Sequence, residues 1–193
     1  DFAPLQRTWD KVFDFLEPYF GQFKWLNIGG GHHITRADYQ REELVQFLSD
    51  MAEDTGAEIY IEPGEAVALD AGILVGTVLD VGWNDMPVAV VDVSATCHMP
   101  DVIEAPYRPA MLGEVPAEDH GMIDEGQGGA VRFPEPAKPG TRFAFLDQAH
   151  YSMVKTTTFN GVPLPSIWLW DSETDSLECI RKFDYEDFRN RLS

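Results

Sequence analysis

Trp25-Leu26-Asn27-Ile28-Gly29-Gly30-Gly31-His32-His33 is the stretch on which the fold turns. Its first four residues are a short, mostly apolar run, and three glycines close it, as expected of a buried strand that ends in a tight loop. On the N-terminal side, residues 5–20 carry Trp9, Val12, Phe13, Leu16 and Phe20 at helical spacing, and Gly21 ends the segment. On the C-terminal side, residues 36–54 predict a second helix. Leu44, Val45, Leu48 and Met51 form its apolar face, and Thr55-Gly56 is its stop. Ile59-Tyr60-Ile61 is another short buried strand, broken by Glu62-Pro63-Gly64. Strand, helix, strand is the grammar of parallel βα units. Two units cannot close a barrel or cover both faces of a parallel sheet, so further units are expected upstream. The start at Asp1-Phe2-Ala3-Pro4 has neither Met nor a signal-peptide pattern and reads as an internal point of a longer chain.

Past residue 73 the texture changes. Residues 74–81, 88–93, 143–146, 153–159 and 167–170 are short β-rich runs. Turn signals at Trp83-Asn84-Asp85, Pro139-Gly140 and Asn160-Gly161 separate them. The fold class is therefore α/β plus β: βα units over residues 1–73, then an antiparallel β-domain over 74–193 closed by a short helix at 185–192. Residues 113–141, rich in Gly, Pro and acids, predict the least regular stretch.

Formal net charge is −19, from 33 acidic and 14 basic residues, so the surface repels nucleic-acid phosphates and suits a cationic ligand or simply solvates well. No apolar run approaches the roughly 18 residues of a membrane span. The two cysteines, Cys97 and Cys179, stand far apart in no paired motif, which points to a reducing, cytoplasmic setting without a disulfide framework.

The glycine triplet carries the first chemical signal. Exposed backbone amides at a strand-to-helix junction, with the positive end of the following helix, hold a phosphate without a basic side chain. A Cβ would block the approach of the backbone, hence glycine. The dinucleotide fingerprint is not met, because Ile34 stands where its third glycine belongs. His32-His33 is an adjacent pair with no third ligand cluster in view, so no metal is expected. Glu62, at the end of the next strand, is placed either to hold a ring nitrogen protonated or to cap the helix that starts near Gly64.

Four stretches, LNIGGGHHITRADY (26–39), YIEPGEAVALDAG (60–72), VDVSATCHMPDVIEAPYRP (91–109) and DQAHYSMVKTTTFNGVPLPSI (147–167), resemble carboxynorspermidine decarboxylase. That enzyme lies in the ornithine and diaminopimelate decarboxylase superfamily, whose fold joins a pyridoxal-phosphate (PLP) binding (β/α)8 barrel to a β-domain. The resemblance implies that residues 1–73 are the last βα units of such a barrel and that the cofactor is pyridoxal 5'-phosphate. It assigns Gly29, Gly30 and Gly31 to the cofactor phosphate, Glu62 to the pyridine nitrogen, with Gly64 beside it, and Tyr151 to the phosphate from the β-domain. For a polyamine substrate the candidates are His98, Asp101 and Glu104, since carboxylates pair with ammonium groups; the plainer reading is a solvated loop capped by Asp101. The implied reaction is decarboxylation of carboxynorspermidine or carboxyspermidine to norspermidine or spermidine, in a homodimer.

Two elements of the family are missing. Its Schiff-base lysine lies upstream of Asp1, and none of Lys11, Lys24, Lys138, Lys155 and Lys182 matches it. Its cysteine loop corresponds to 122–130, which holds no cysteine. Hence an alternative remains: a non-catalytic polyamine-binding or regulatory homologue. A sister decarboxylase acting on diaminopimelate, arginine or ornithine is a third reading.

Overall fold

Pro4 occupies the first turn of helix α1 (Ala3–Leu16), where its missing N–H costs nothing. The computed structural model describes residues 2–115 and 135–192. The single helix expected over 5–20 is instead α1 followed by a 3₁₀ turn at Glu17–Tyr19. Pro18 is the cause, because it cannot continue the α-helical ladder. Trp9 and Phe20 then stack with ring centroids 6.2 Å apart, and Phe13 meets Phe20 edge-on at 5.4 Å.

Strand β1 (Trp25–Asn27) pairs in parallel with β2 (Glu58–Tyr60), in the register Trp25 with Glu58, Leu26 with Ile59 and Asn27 with Tyr60. The crossover is helix α2 (Arg41–Thr55), so a βαβ unit is present. The strands are less buried than their apolar runs imply. Trp25 and Tyr60 are exposed and touch edge-on at 6.4 Å, while Leu26 and Ile59 turn inward.

Helix α2 starts at Arg41 rather than near residue 36. The intervening chain folds as turns, held by Arg36 on Asp38 and by Arg41 Nη1 on the carbonyls of Ile34 and Arg36. Leu44, Met51 and Thr55 form the buried face, with Leu48 half-buried, whereas Val45 is solvent-facing, one position off the stripe. Phe2, Tyr39 and Leu44 make the core against Leu5, Ile34, Phe47 and Leu48. Gly56, at φ +69°, closes the helix. Helix α3 (Gly64–Ala68) follows β2.

The chain divides into two compact units, one ending at Leu69 and one beginning at Asp70. In the second, long strand β3 (Leu74–Asn84) lies between β4 (Met86–Val91) and β5 (Arg142–Phe145), all antiparallel. Val78, Met111 and Phe143 form its core. Short helices α4 (Ala95–His98) and α5 (Asp101–Glu104) occupy the segment of the substrate candidates, in place of the solvated loop that was the plainer alternative, and His98 and Asp101 are buried in it. The strand expected over 153–159 is instead helix α6 (Tyr151–Val154) and a 3₁₀ turn at Phe159–Gly161. The causes are a local cap and a distant partner: His150 Nδ1 accepts the Tyr151 amide, and the buried Ser152 hydroxyl donates to Asp101, 51 residues away. Strands β6 (Ile167–Asp171) and β7 (Ser176–Arg181) form a hairpin, of which β7 was not expected. Helix α7 (Tyr185–Arg189) is fixed by a capping box from Asp184 and Asp187. The cysteine-free segment 122–130 lies outside the described residues.

Candidate functional site

The glycine loop begins where the parallel pair β1–β2 runs out. Ile28 N–H donates to the Tyr60 carbonyl at 3.0 Å, and Glu62 N–H donates to the Gly29 carbonyl at 2.8 Å. Pairing therefore continues past both strands and fixes the loop beside Glu62. Gly29 and Gly31 take φ of +79° and +82°, a region closed to most side chains. Gly30 is constrained otherwise: a Cβ there would stand 2.7 Å from the Glu62 carbonyl oxygen, inside contact distance. Among the described residues, no acceptor takes the amide protons of Gly30 or Gly31. The Gly64 amide, by contrast, is spent on the Glu62 carbonyl at 2.8 Å.

Helix α2 begins ten residues past the triplet, with turns between them.

Two side chains frame the loop. Asn27 donates from Nδ2 to Glu62 Oε1 at 2.5 Å and accepts the Gly29 amide at Oδ1, 2.9 Å away. The adjacent histidines part company. His33 pairs with Glu65, while the His32 ring is buried with Nε2 unpartnered among the described residues. Burial pushes the His32 pKa below its ordinary value; a hydrogen bond to the Gly29 backbone opposes this, and the His33 charge adds to it.

In the second unit, Tyr151 opens α6 with its ring exposed. His150 Nδ1 accepts the Tyr151 amide at 2.8 Å, which leaves the neutral ring's proton on Nε2. Asp101, although buried, accepts from Tyr107 Oη at 2.5 Å and Ser152 Oγ at 2.9 Å, both at Oδ2. Its Oδ1 and the Oε1 of Gln148 are buried without a partner among the described residues. Burial and the hydrogen bond to Asp101 push the Tyr107 pKa up to about 12. Glu104 pairs with Lys155, whose ammonium lies 4.9 Å from the Tyr151 ring centroid. His98 is spent inside the fold: Nδ1 accepts the Ser94 amide at 3.1 Å, and Nε2 meets the Pro163 carbonyl at 2.9 Å.

Of the predicted residues, the structure thus joins Gly29, Gly30, Gly31, Glu62 and Gly64 in one constellation. Asp101 and Glu104 are tied to the helix that carries Tyr151, and His98 has no free ring nitrogen. Sequence reasoning missed Asn27, although an Asn two residues before a glycine at a strand end is a recognisable Asx-turn signal. It also missed Tyr107, for which no sequence signal exists.

No family model matches the chain. It is 36% identical to the carboxynorspermidine/carboxyspermidine decarboxylase of Campylobacter jejuni, over 90% of this chain and 50% of that one. It is also 36% identical to the carboxyaminopropylagmatine decarboxylase of Synechocystis, over 100% of this chain and 52% of that one. The crystal structure of carboxynorspermidine decarboxylase complexed with norspermidine, from Campylobacter jejuni, matches with a TM-score of 0.78 at 35% identity, over 96% of this chain and 57% of that one. Diaminopimelate decarboxylase from Helicobacter pylori, at 18% identity, shares the fold with a TM-score of 0.74, over 100% of this chain and 51% of that one.

The class these matches define is a group of decarboxylases with one common fold, matched here over about half of each. Within it, the chain is a relative of the carboxynorspermidine/carboxyspermidine decarboxylases, and it spans about half the length of the curated relatives it matches.

Proposed function

We propose that this chain is the C-terminal half of a PLP-dependent decarboxylase that removes the carboxyl group from a carboxylated polyamine, in the synthesis of norspermidine or spermidine. On this reading β1 and β2 are strands of a (β/α)8 barrel, and the whole protein works as a cytoplasmic homodimer. The observation that carries the proposal is the backbone tie between Gly29 and Glu62. It sets two uncommitted amides, Gly30 and Gly31, beside a carboxylate one βα unit later. A phosphate fits such amides, and the positive φ values leave the approach free of side chains.

With PLP bound, Glu62 would accept a hydrogen bond from the ring nitrogen and favour its protonated form, because a nearby anion stabilises the cation. When bound, PLP supplies the electron sink for the pair released as the carbon–carboxylate bond breaks. Net, the substrate would lose its carboxylate as carbon dioxide and gain, on the same carbon, a proton supplied by solvent. Tyr151 stands exposed at the start of α6 in the second unit. Asp101 and Glu104 remain the carboxylates to weigh as partners for substrate ammonium groups, in a chain whose net charge of −19 draws polycations.

The test uses the whole polypeptide with PLP and follows carbon dioxide release. Carboxynorspermidine, carboxyspermidine and carboxyaminopropylagmatine are compared with diaminopimelate. Release from at least one of the first three, well above diaminopimelate, is expected. No release from any of them, with the cofactor demonstrably bound, overturns the decarboxylase reading.

A further inference from the structure

Glu62 is an exposed carboxylate on a flexible side chain, and nothing about its position at a strand end keeps it aimed. Asn27 supplies the missing restraint. Its Nδ2 donates to Glu62 Oε1 at 2.5 Å, which leaves Oε2 as the oxygen without a partner among the described residues. Its Oδ1 accepts the Gly29 amide at 2.9 Å. The second bond fixes the orientation of the amide: a backbone N–H only donates, so the carbonyl end must face Gly29 and the NH₂ end must face Glu62. One side chain therefore grips the start of the glycine loop and the carboxylate together. Asn27 is itself held by the ladder, opposite Tyr60 at the last position of β1.

We propose that Asn27 is a positioning residue. It aims the Glu62 carboxylate at the cofactor ring nitrogen and locks that aim to the glycine loop. The inference rests on the assignment of Glu62 to the ring nitrogen and of residues 29–31 to the phosphate. The residue type follows from the chemistry. A leucine in place of Asn27 would make neither bond; a carboxylate at this position would still accept from Gly29 but would face Glu62 as a like charge, with nothing to donate. Asn27→Asp therefore loosens Glu62 while keeping the loop tied, and Asn27→Leu loosens both.

The experiment measures dissociation constants on the whole polypeptide for PLP and for the analogue with carbon in place of the ring nitrogen. Wild type, Asn27→Asp, Asn27→Leu, Glu62→Gln and the double variant Asn27→Asp/Glu62→Gln are compared, each shown to be folded by circular dichroism. Asn27→Asp is expected to weaken PLP about tenfold, the loss from a hydrogen bond to a charged group. It should leave the ring-carbon analogue within about twofold of wild type, and the double variant should bind PLP little worse than Glu62→Gln alone. Equal losses for both ligands would overturn the link through Glu62. So would full additivity, or unchanged PLP affinity in both Asn27 variants while Glu62→Gln weakens it. If wild type itself fails to bind PLP, the functional assignment falls and takes this inference with it.

Discussion

The glycine loop of the first unit and the Asp101 cluster of the second are built from opposite materials. The loop is backbone: two residues at positive φ, a third pressed against a carbonyl, and two amides without an acceptor among the described residues. The cluster is side chain: a buried carboxylate met by two hydroxyls, one of them 51 residues away. A backbone site tolerates changes around it and fails when a Cβ is added within it. A buried polar network fails when one member is removed, because the others are left desolvated and unpaired. The two regions should therefore break in different ways.

Removal of the buried carboxylate should have the largest effect. Asp101→Ala strands the Tyr107 and Ser152 hydroxyls, and hydrogen bonds to charged groups contribute about 1.5–3 kcal/mol each. A loss of about 3 kcal/mol in urea-monitored stability is expected, with Ser152→Ala costing roughly half as much. If Asp101→Ala is as stable as wild type, the cluster does not hold α5 to α6. Next comes Gly30→Ala. Its Cβ meets backbone rather than a movable side chain, so the loop must shift. PLP affinity of the whole protein should fall by about 10–100-fold, the range for overpacking at a tight site, with little change in melting temperature. A large melting shift without an affinity loss would place the strain in the fold instead.

These two regions also differ in how far the chain discloses them. Residues 29–31 are contiguous, and a glycine triplet closing an apolar run is visible on inspection. The partnership of that loop with Glu62 needs only a parallel register, which strand–helix–strand grammar implies. Asn27 was within reach for the same reason, two residues before Gly29. The Asp101 cluster depends on Tyr107, just past the end of α5, and on Ser152 of α6 meeting one carboxylate, and no periodicity encodes that. Three local errors have equally physical causes. Pro18 cut a helix that apolar spacing carried on to Phe20. Val45 matched the helical stripe in type but missed it by one position. The run 153–159, β-rich in composition, lost its start to helix α6 through the His150 cap and the burial of Ser152, and the rest follows as irregular chain up to a 3₁₀ turn. In the first and third, a covalent or tertiary constraint outweighed local propensity.

A smaller effect distinguishes the regions by pH. Tyr107, held at a pKa of about 12 by burial and by Asp101, binds its proton more tightly folded than unfolded. The folded state is favoured fully below the ordinary tyrosine pKa of about 10, and that advantage is lost as pH rises toward 12. Stability should thus fall more steeply between pH 10 and 12 in wild type than in Tyr107→Phe. Parallel curves for the two would show that the hydroxyl gains nothing from Asp101. His32 has the opposite sense. Its folded pKa lies below the usual 6.5, so its stabilising contribution is present at neutral pH and lost as pH falls through the lowered value.

The smallest stability change is expected where both regions' rules are absent. Lys155 and Glu104 form an exposed ion pair between α6 and α5, and the Glu104 carboxylate pushes the Lys155 pKa up through a hydrogen bond. Exposed pairs are screened by salt and give up side-chain entropy to form. Lys155→Met should leave the melting temperature unchanged in high salt. Its value lies in the substrate. Glu104 is neutralised by Lys155 in the present arrangement, so an incoming ammonium must compete for it. If Glu104 faces the polyamine, Lys155→Met lowers KM for the carboxylated polyamine, and Glu104→Gln raises it. If KM is the same in both variants, Glu104 is a latch between two short helices and the substrate's cationic end lies elsewhere.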